Sequence, residues 1–227
     1  KWWTEQGIGY PTVGGKAADA CIDAVHGGHP TALLIDDKGI IRGRWDAWSP
    51  GVAREINTAI WALKVVPEQG IQADMETVKA YMKQKDYYKA LYLLEQMPET
   101  AENEALRYEC MVGRGNSWKA IEYFQELQKK YEADKPEGKR AWVWQPSEEY
   151  VKLMQEISDY IYYSETTDQS ILKNGVDAVS VCLSTKMRNE PSACEKGGVL
   201  RIRYAEAYRK GGVGLIKSGL ELLKRDK

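Results

Sequence analysis

The residues best equipped for chemistry are four cysteines and two histidines. Cys21 lies on an Ala-rich stretch, with His26 and His29 a few residues downstream. An imidazolium beside a thiol lowers the thiol pKa and creates a nucleophile. The same Cys21 also reads as a small core residue, because free cysteine is among the most buried residue types. Cys182 and Cys194 flank Met187-Arg188-Asn189-Glu190-Pro191, which reads as a turn between two antiparallel helices. A disulfide between them would add about 3 kcal/mol in the chain-entropy view. Cys182 also falls on the apolar stripe of Ile171, Leu172, Val176, Val179 and Leu183, where a free core thiol fits equally well. No Cys-x-x-Cys or His-Glu-x-x-His spacing is present, so the sequence suggests neither a structural nor a catalytic zinc site. Gly27-Gly28, Gly197-Gly198 and Gly211-Gly212 lack a following Gly-Lys-Ser/Thr, so they make no phosphate loop. No cofactor is expected.

The elements that would position these residues follow from periodicity. Ile8 to Val13 is a short apolar stretch, and Ala17 to Val25 has helical spacing. Ala32-Leu33-Leu34-Ile35-Asp36 is a continuous apolar run, expected of a central strand covered on both faces. Asp36-Asp37-Lys38-Gly39 supplies a turn, and Ile40 to Trp45 a partner strand. Ser49-Pro50 starts a helix whose face is Val52, Ile56, Ala59, Ile60 and Leu63. Pro67-Glu68-Gln69-Gly70 ends that region, and the strand signal disappears from about Asp74. Amphipathic helices then alternate with short breaks. Tyr150, Leu153, Met154, Ile157, Tyr160 and Ile161 form one stripe; Ile121, Phe124, Leu127 and Tyr131 form another. Glu148-Glu149 at a helix start, and Lys129-Lys130 and Lys224-Arg225 near helix ends, complement the helix dipole. The irregular stretch from Lys135 to Pro146 carries Trp142 and Trp144, expected to pack between helices.

Composition narrows the function classes. Lys+Arg is 32 against Asp+Glu 33, a formal charge of -1, with no basic face for nucleic acid. The 43% hydrophobic content fills a core, and no apolar run reaches the length of a membrane span. The chain opens on Lys1-Trp2-Trp3 without an initiator Met or a signal peptide, so it reads as a processed product or a fragment.

A weak internal repeat runs through the helical region. Tyr87-Tyr88-Lys89-Ala90-Leu91-Tyr92-Leu93-Leu94 aligns with Ser117-Trp118-Lys119-Ala120-Ile121-Glu122-Tyr123-Phe124, and the Tyr204 to Gly211 segment has a similar layout. These segments resemble tetratricopeptide-type helical hairpins, in which a small residue lets paired helices approach. The match is degenerate: the period is irregular, and Ile216 stands where a small residue is usual.

Gly28-His29-Pro30-Thr31, the run Ala32 to Asp36, the Gly39 turn and Ile40-Ile41-Arg42-Gly43-Arg44 together resemble the redoxin branch of the thioredoxin superfamily. The resemblance covers about residues 5–64, roughly the C-terminal half of that fold. It implies that Pro30 matches the family's cis-proline and that Gly28, His29, Pro30 and Thr31 shape a groove where a partner backbone pairs. It also implies that the redox-active Cys segment would precede Lys1, because no Cys here occupies that position. The expected architecture is mainly α with a small α/β part: a partial thioredoxin-like domain at 1–66 and a tetratricopeptide-like helical domain at 67–227. The function implied is thiol–disulfide exchange, the helices docking a protein or peptide partner; this chain alone would be inactive. The competing reading is a non-catalytic interaction scaffold whose thioredoxin-like part has no redox thiols. A glutathione-transferase-like enzyme fits less well, since Arg42-Gly43-Arg44-Trp45 replaces the usual Glu/Gln-Ser. A persistent Cys182–Cys194 bond would point to an extracytoplasmic location, periplasmic or secreted.

Overall fold

The computed structural model describes residues 31–36, 38–136, 144–208 and 212–225, and these are mainly helical with one small sheet. The chain divides into two compact units, Lys1–Gly70 and Ile71–Lys227. The first unit ends four residues beyond the expected boundary at 66, because its helix runs through Pro67 to Gln69. The expected elements at Ile8–Val13 and Ala17–Val25, with Cys21, His26, Gly28, His29 and Pro30, lie outside the described residues.

Within the first unit, strand β1 (Ala32–Ile35) pairs antiparallel with β2 (Ile41–Trp45). Asp36 builds the turn between them. Its carboxylate accepts from Lys38 N (3.0 Å), Ile40 N (2.8 Å) and Arg42 Nε (2.8 Å). Those bonds, Ile40's first, hold the Asp36 carboxyl below its usual range. The register shifts between Leu34 and Ile35, which locally bends the ladder. Among the described residues β1 pairs with β2 alone, rather than lying as a central strand covered on both faces. Ala32, Leu33 and Leu34 are half-buried and Ile35 is 52% exposed, as suits one edge of a two-stranded hairpin. Helix α1 (Pro50–Gln69) starts where the sequence placed it, with the Ser49 side chain accepting from Val52 N and Pro50 in the first turn. Its buried residues are Trp61 and Ala62; Ile60 and Leu63, expected on the buried face, are exposed.

The second unit is built from helices α2 (Met75–Lys83), α3 (Tyr87–Leu94), α4 (Ala101–Gly113), α5 (Ser117–Tyr131), α6 (Glu148–Tyr163), α7 (Gln169–Leu183), α8 (Pro191–Tyr208) and α9 (Val213–Arg225). A 3-10 turn, Lys186–Asn189, joins α7 to α8. α2 packs on α3, α4 on α5, α6 on α7 and α8 on α9, so the helices pair in sequence. α4 also packs on α6, α5 on α7, and α8 on both α6 and α7, which stacks one pair upon the next. The core holds Tyr108 of α4, Phe124 of α5, Tyr150, Leu153, Met154, Ile157 and Ile161 of α6, and Ile171 and Leu172 of α7. Both apolar stripes read from the sequence face it.

The internal repeat is a repeat of turn geometry. α2 and α4 end in the same three-residue link: Gln84-Lys85-Asp86 and Arg114-Gly115-Asn116. In each, the middle residue is left-handed, Lys85 at φ 59 and Gly115 at φ 74. The following amide reaches back to Tyr81 O (2.9 Å) or Met111 O (3.3 Å), closing a Schellman cap. Asp86 and Asn116 then cap the next helix by accepting from Lys89 N and Lys119 N. Ala90 and Ala120, equivalent in the repeat, are fully buried. Gly198 and Gly219 serve the same end in the last pair: a Cβ on Gly198 would meet Gly219 O at 2.9 Å, so α8 and α9 cross backbone to backbone. Gly198 is thus accounted for by helix packing.

The two turns make a paired stability test. A Cβ at Gly115 would meet nothing within 4 Å, so Gly115→Ala is opposed by backbone strain alone. Chemical denaturation should show Gly115→Ala destabilising by about 1 kcal/mol and Lys85→Gly neutral to stabilising by up to about 1 kcal/mol. Opposite signs at both positions would show that these turns do not carry the strain.

Candidate functional site

The described thiols come first. Cys110, Cys182 and Cys194 are buried and free. Cys182 Sγ donates to Val151 O at 3.8 Å, and Cys194 Sγ to Arg188 O at 3.4 Å. In the structure both thiols are thus free and turned to different carbonyls. The 3-10 turn and the start of α8 direct Cys194 back onto its own loop, while Cys182 faces α6. Burial pushes the Cys182 thiol up to about 11 and Cys110 to about 12, far from a reactive thiolate. Thr31, the described member of the expected proline-loop groove, donates its hydroxyl to Asp46 Oδ1 at 3.1 Å, a carboxylate that Arg44 Nε also holds at 2.9 Å. Among the described residues, no group of three His, Cys, Asp or Glu could hold a metal ion. No described helix is long and apolar enough to cross a membrane.

Two clefts adjoin the segment 144–147, one between α5 and α7 and the other between the start of α6 and the turn that follows α7. The larger, about 480 Å³, is lined by Gln128, Glu132, Trp144, Asp177, Ser180 and Ser184, among others. The smaller, about 350 Å³, adds the apolar surface of Pro146, Val151 and Met187, with Gln145 and Thr185. They adjoin in sequence at Trp144-Gln145 and at Ser184-Thr185.

Trp144, which lines the larger cleft, packs on a bonded aromatic cluster. Tyr131 and Tyr150 stack at 5.2 Å and 7°. Trp144 tilts against Tyr150 at 6.3 Å, and its Nε1 donates to Asp134 Oδ1 at 3.1 Å. Trp144 therefore packs on the core as the sequence suggested; Trp142 lies outside the described residues. Lys135 Nζ sits 5.0 Å from the Trp144 ring centroid and pairs with Glu132 at 2.6 Å. Glu132 also accepts from Tyr150 OH at 2.9 Å. Burial, then that carboxylate, drive the Tyr150 phenol far above its usual range, so it stays a neutral donor. Ser180 donates to Val176 O and Ser184 to Val181 O, so neither hydroxyl is poised as a nucleophile. The groove offers hydrogen-bonding groups beside apolar surface. That is recognition chemistry.

The sequence reading missed a third feature. Glu109 of α4 is half-buried, flanked by the phenols of Tyr87 and Tyr160, and burial alone raises its carboxyl pKa. Nothing at Glu109 marks it in the sequence, because its neighbours come from α3 and α6.

Comparison with family models, curated proteins and solved structures finds no match to this chain.

Two outcomes follow. In the native protein, Cys110, Cys182 and Cys194 should resist a thiol reagent that modifies all three after denaturation without reductant; a thiol count two short would restore the Cys182–Cys194 bond. Glu109→Gln should raise stability at pH 7. A raised folded-state pKa means that the folded protein holds its proton longer, so stability falls as pH rises through the carboxylate range. The Gln variant lacks that loss, and its advantage should vanish below the ordinary Glu pKa of about 4.3. An advantage unchanged across that range would assign it to another cause.

Proposed function

We propose that this chain is a protein-interaction module whose stacked helical pairs dock an extended peptide segment of a partner protein. The observation that carries it is the groove along α5, α7 and 144–147. Its two adjoining compartments differ in chemistry as an extended peptide requires. Gln128, Asp177 and Ser184 suit backbone amides and carbonyls, and Val151, Pro146 and Met187 suit an apolar side chain one or two residues along. Trp144, held against Tyr150, which stacks on Tyr131, presents a fixed side chain and so limits the entropy lost on binding. By its helical pairs and small-residue contacts the unit is tetratricopeptide-like.

The redoxin resemblance enters this reading as a second element. It is supported by the Gly28–Arg44 sequence and by an apolar strand, a glycine turn and a strand carrying Arg42 and Arg44. Thiol–disulfide exchange is not assigned to the described thiols, which are buried. The first unit is thus read as a thioredoxin-like companion to the docking unit, without the family's redox-active Cys segment.

Peptides selected from a random display library against the full chain test the reading by calorimetry. Trp144→Ala and Met187→Ala should each weaken a selected peptide by about tenfold or more, as expected of contacts central to an interface. Circular dichroism confirms that the variants fold. Equal binding to wild type and both variants, or a selection that enriches no sequence, would overturn it.

A further inference from the structure

The helical unit ties its helices together with one recurring device, a lysine that reaches a carboxylate on another helix. Lys79 of α2 pairs with Glu102 of α4 at 3.1 Å. Lys130 of α5 pairs with Glu104 of α4 at 2.7 Å. Lys196 of α8 pairs with Asp159 of α6. In the last two cases the pair flanks an apolar contact, since α4 packs on α5 and α8 on α6. Helix α9 carries the parts of the same device on a face turned to solvent.

α9 is two-sided. One side lies on α8: Gly219 and Leu222 are buried, and a Cβ on Gly219 would meet Gly198 O at 2.8 Å. The other side carries Val213, Ile216, Leu220 and Leu223, spaced three, four and three residues apart. That is the a/d spacing of a seam between two helices. Val213 is 66% exposed, Ile216 37% and Leu220 47%, and Leu223 is half-buried. Lys217 and Lys224, both exposed, follow Ile216 and Leu223 directly and so line one edge of the stripe. Gly219, on the other edge, is taken up by α8. Glu221 lies further round the helix from the stripe, so the open edge of the seam is cationic.

We propose that α9 docks an amphipathic helix of a partner protein, one with an apolar a/d stripe and acidic residues along the edge that faces Lys217 and Lys224. Burial of the stripe supplies the attraction, and the two ammonium groups select the partner and its direction. A second copy of this chain fits the face less well. Two α9 helices laid antiparallel, Leu220 of each on Ile216 of the other, bring their Lys217 side chains together on one edge, where like charges repel. The face lies on α9, whereas the clefts beside 144–147 are lined from α5, α6 and α7, so it stands or falls independently of the peptide docking proposed there.

The test is an NMR titration of the full chain with two synthetic capped helices of about three heptads, identical in their apolar seam and carrying either Glu or Lys at the edge positions. The Glu-edged helix should shift amides in 213–225 and bind about tenfold more tightly than the Lys-edged one, two attractive contacts standing in place of two repulsive ones. Leu220→Asp should abolish that binding; Leu220 is exposed, so the variant keeps its fold, which circular dichroism checks. Lys217→Glu combined with Lys224→Glu should reverse the preference, and Trp144→Ala should leave it unchanged. No binding by either helix, equal binding of both, or shifts that persist in Leu220→Asp would overturn the proposal. A dimer of the chain in light scattering that Leu220→Asp abolishes would give the face to a second copy and overturn the assignment to a partner protein.

Discussion

The helical unit depends on polar side chains buried along one helix, α4. Asn103, Glu104 and Arg107 are all buried, and each bonds outside its own helix. Asn103 donates to Pro98 O at 2.8 Å, in the link from α3. Glu104 takes Lys130 and Tyr131 from α5. Arg107 donates to Leu94 O at 2.6 Å and Met97 O at 2.8 Å, tying down carbonyls where α3 ends. The adjacent Tyr108 reaches furthest, its hydroxyl accepting from Asn174 of α7 at 3.1 Å. Apolar packing alone tolerates sliding; buried polar groups do not, because a slip leaves each desolvated and unbonded. α4 therefore fixes the registers of α3, α5 and α7 at once.

The same device recurs further along. Arg203 of α8 donates to Ile161 O, Tyr162 O, Ser164 O and Thr166 O, closing the C-terminal end of α6 and the link to α7. Arg107 and Arg203 each finish a helix that precedes their own, which ties one helical pair to the next. A stack fixed this way can carry recognition groups on its surface without rearranging. The cleft between α5 and α7 lies on elements that α4 ties to its neighbours.

Local features were legible in the sequence. Ser49-Pro50 opened its helix, Asp36 to Gly39 turned the hairpin, and the stripes through Tyr150 and Phe124 faced the core, each decided within a few residues. The offset between Ala90 and Ala120 carried the repeat, and the structure shows its cause in the Lys85 and Gly115 turns. Features requiring two distant helices were not legible. Lys130 lies in the last turn of its helix as read, but its bonds to Glu104 and Glu99 were not foreseen. Cys182 and Cys194 had the spacing for a bond but face different carbonyls. The apolar run of β1 suggested a covered central strand, yet a hairpin leaves Ile35 exposed. Glu109 gave no sign, because burial and neighbours, not sequence spacing, set it apart.

Native-state hydrogen exchange in mild denaturant tests most directly whether α4 couples the stack. In Glu104→Ala, which strips Lys130 and Tyr131 of their buried acceptor, the opening free energies of amides in α3, α4, α5 and α7 should fall by the same amount as global stability. A fall confined to α5, with α3 and α7 keeping their protection, would contradict the account.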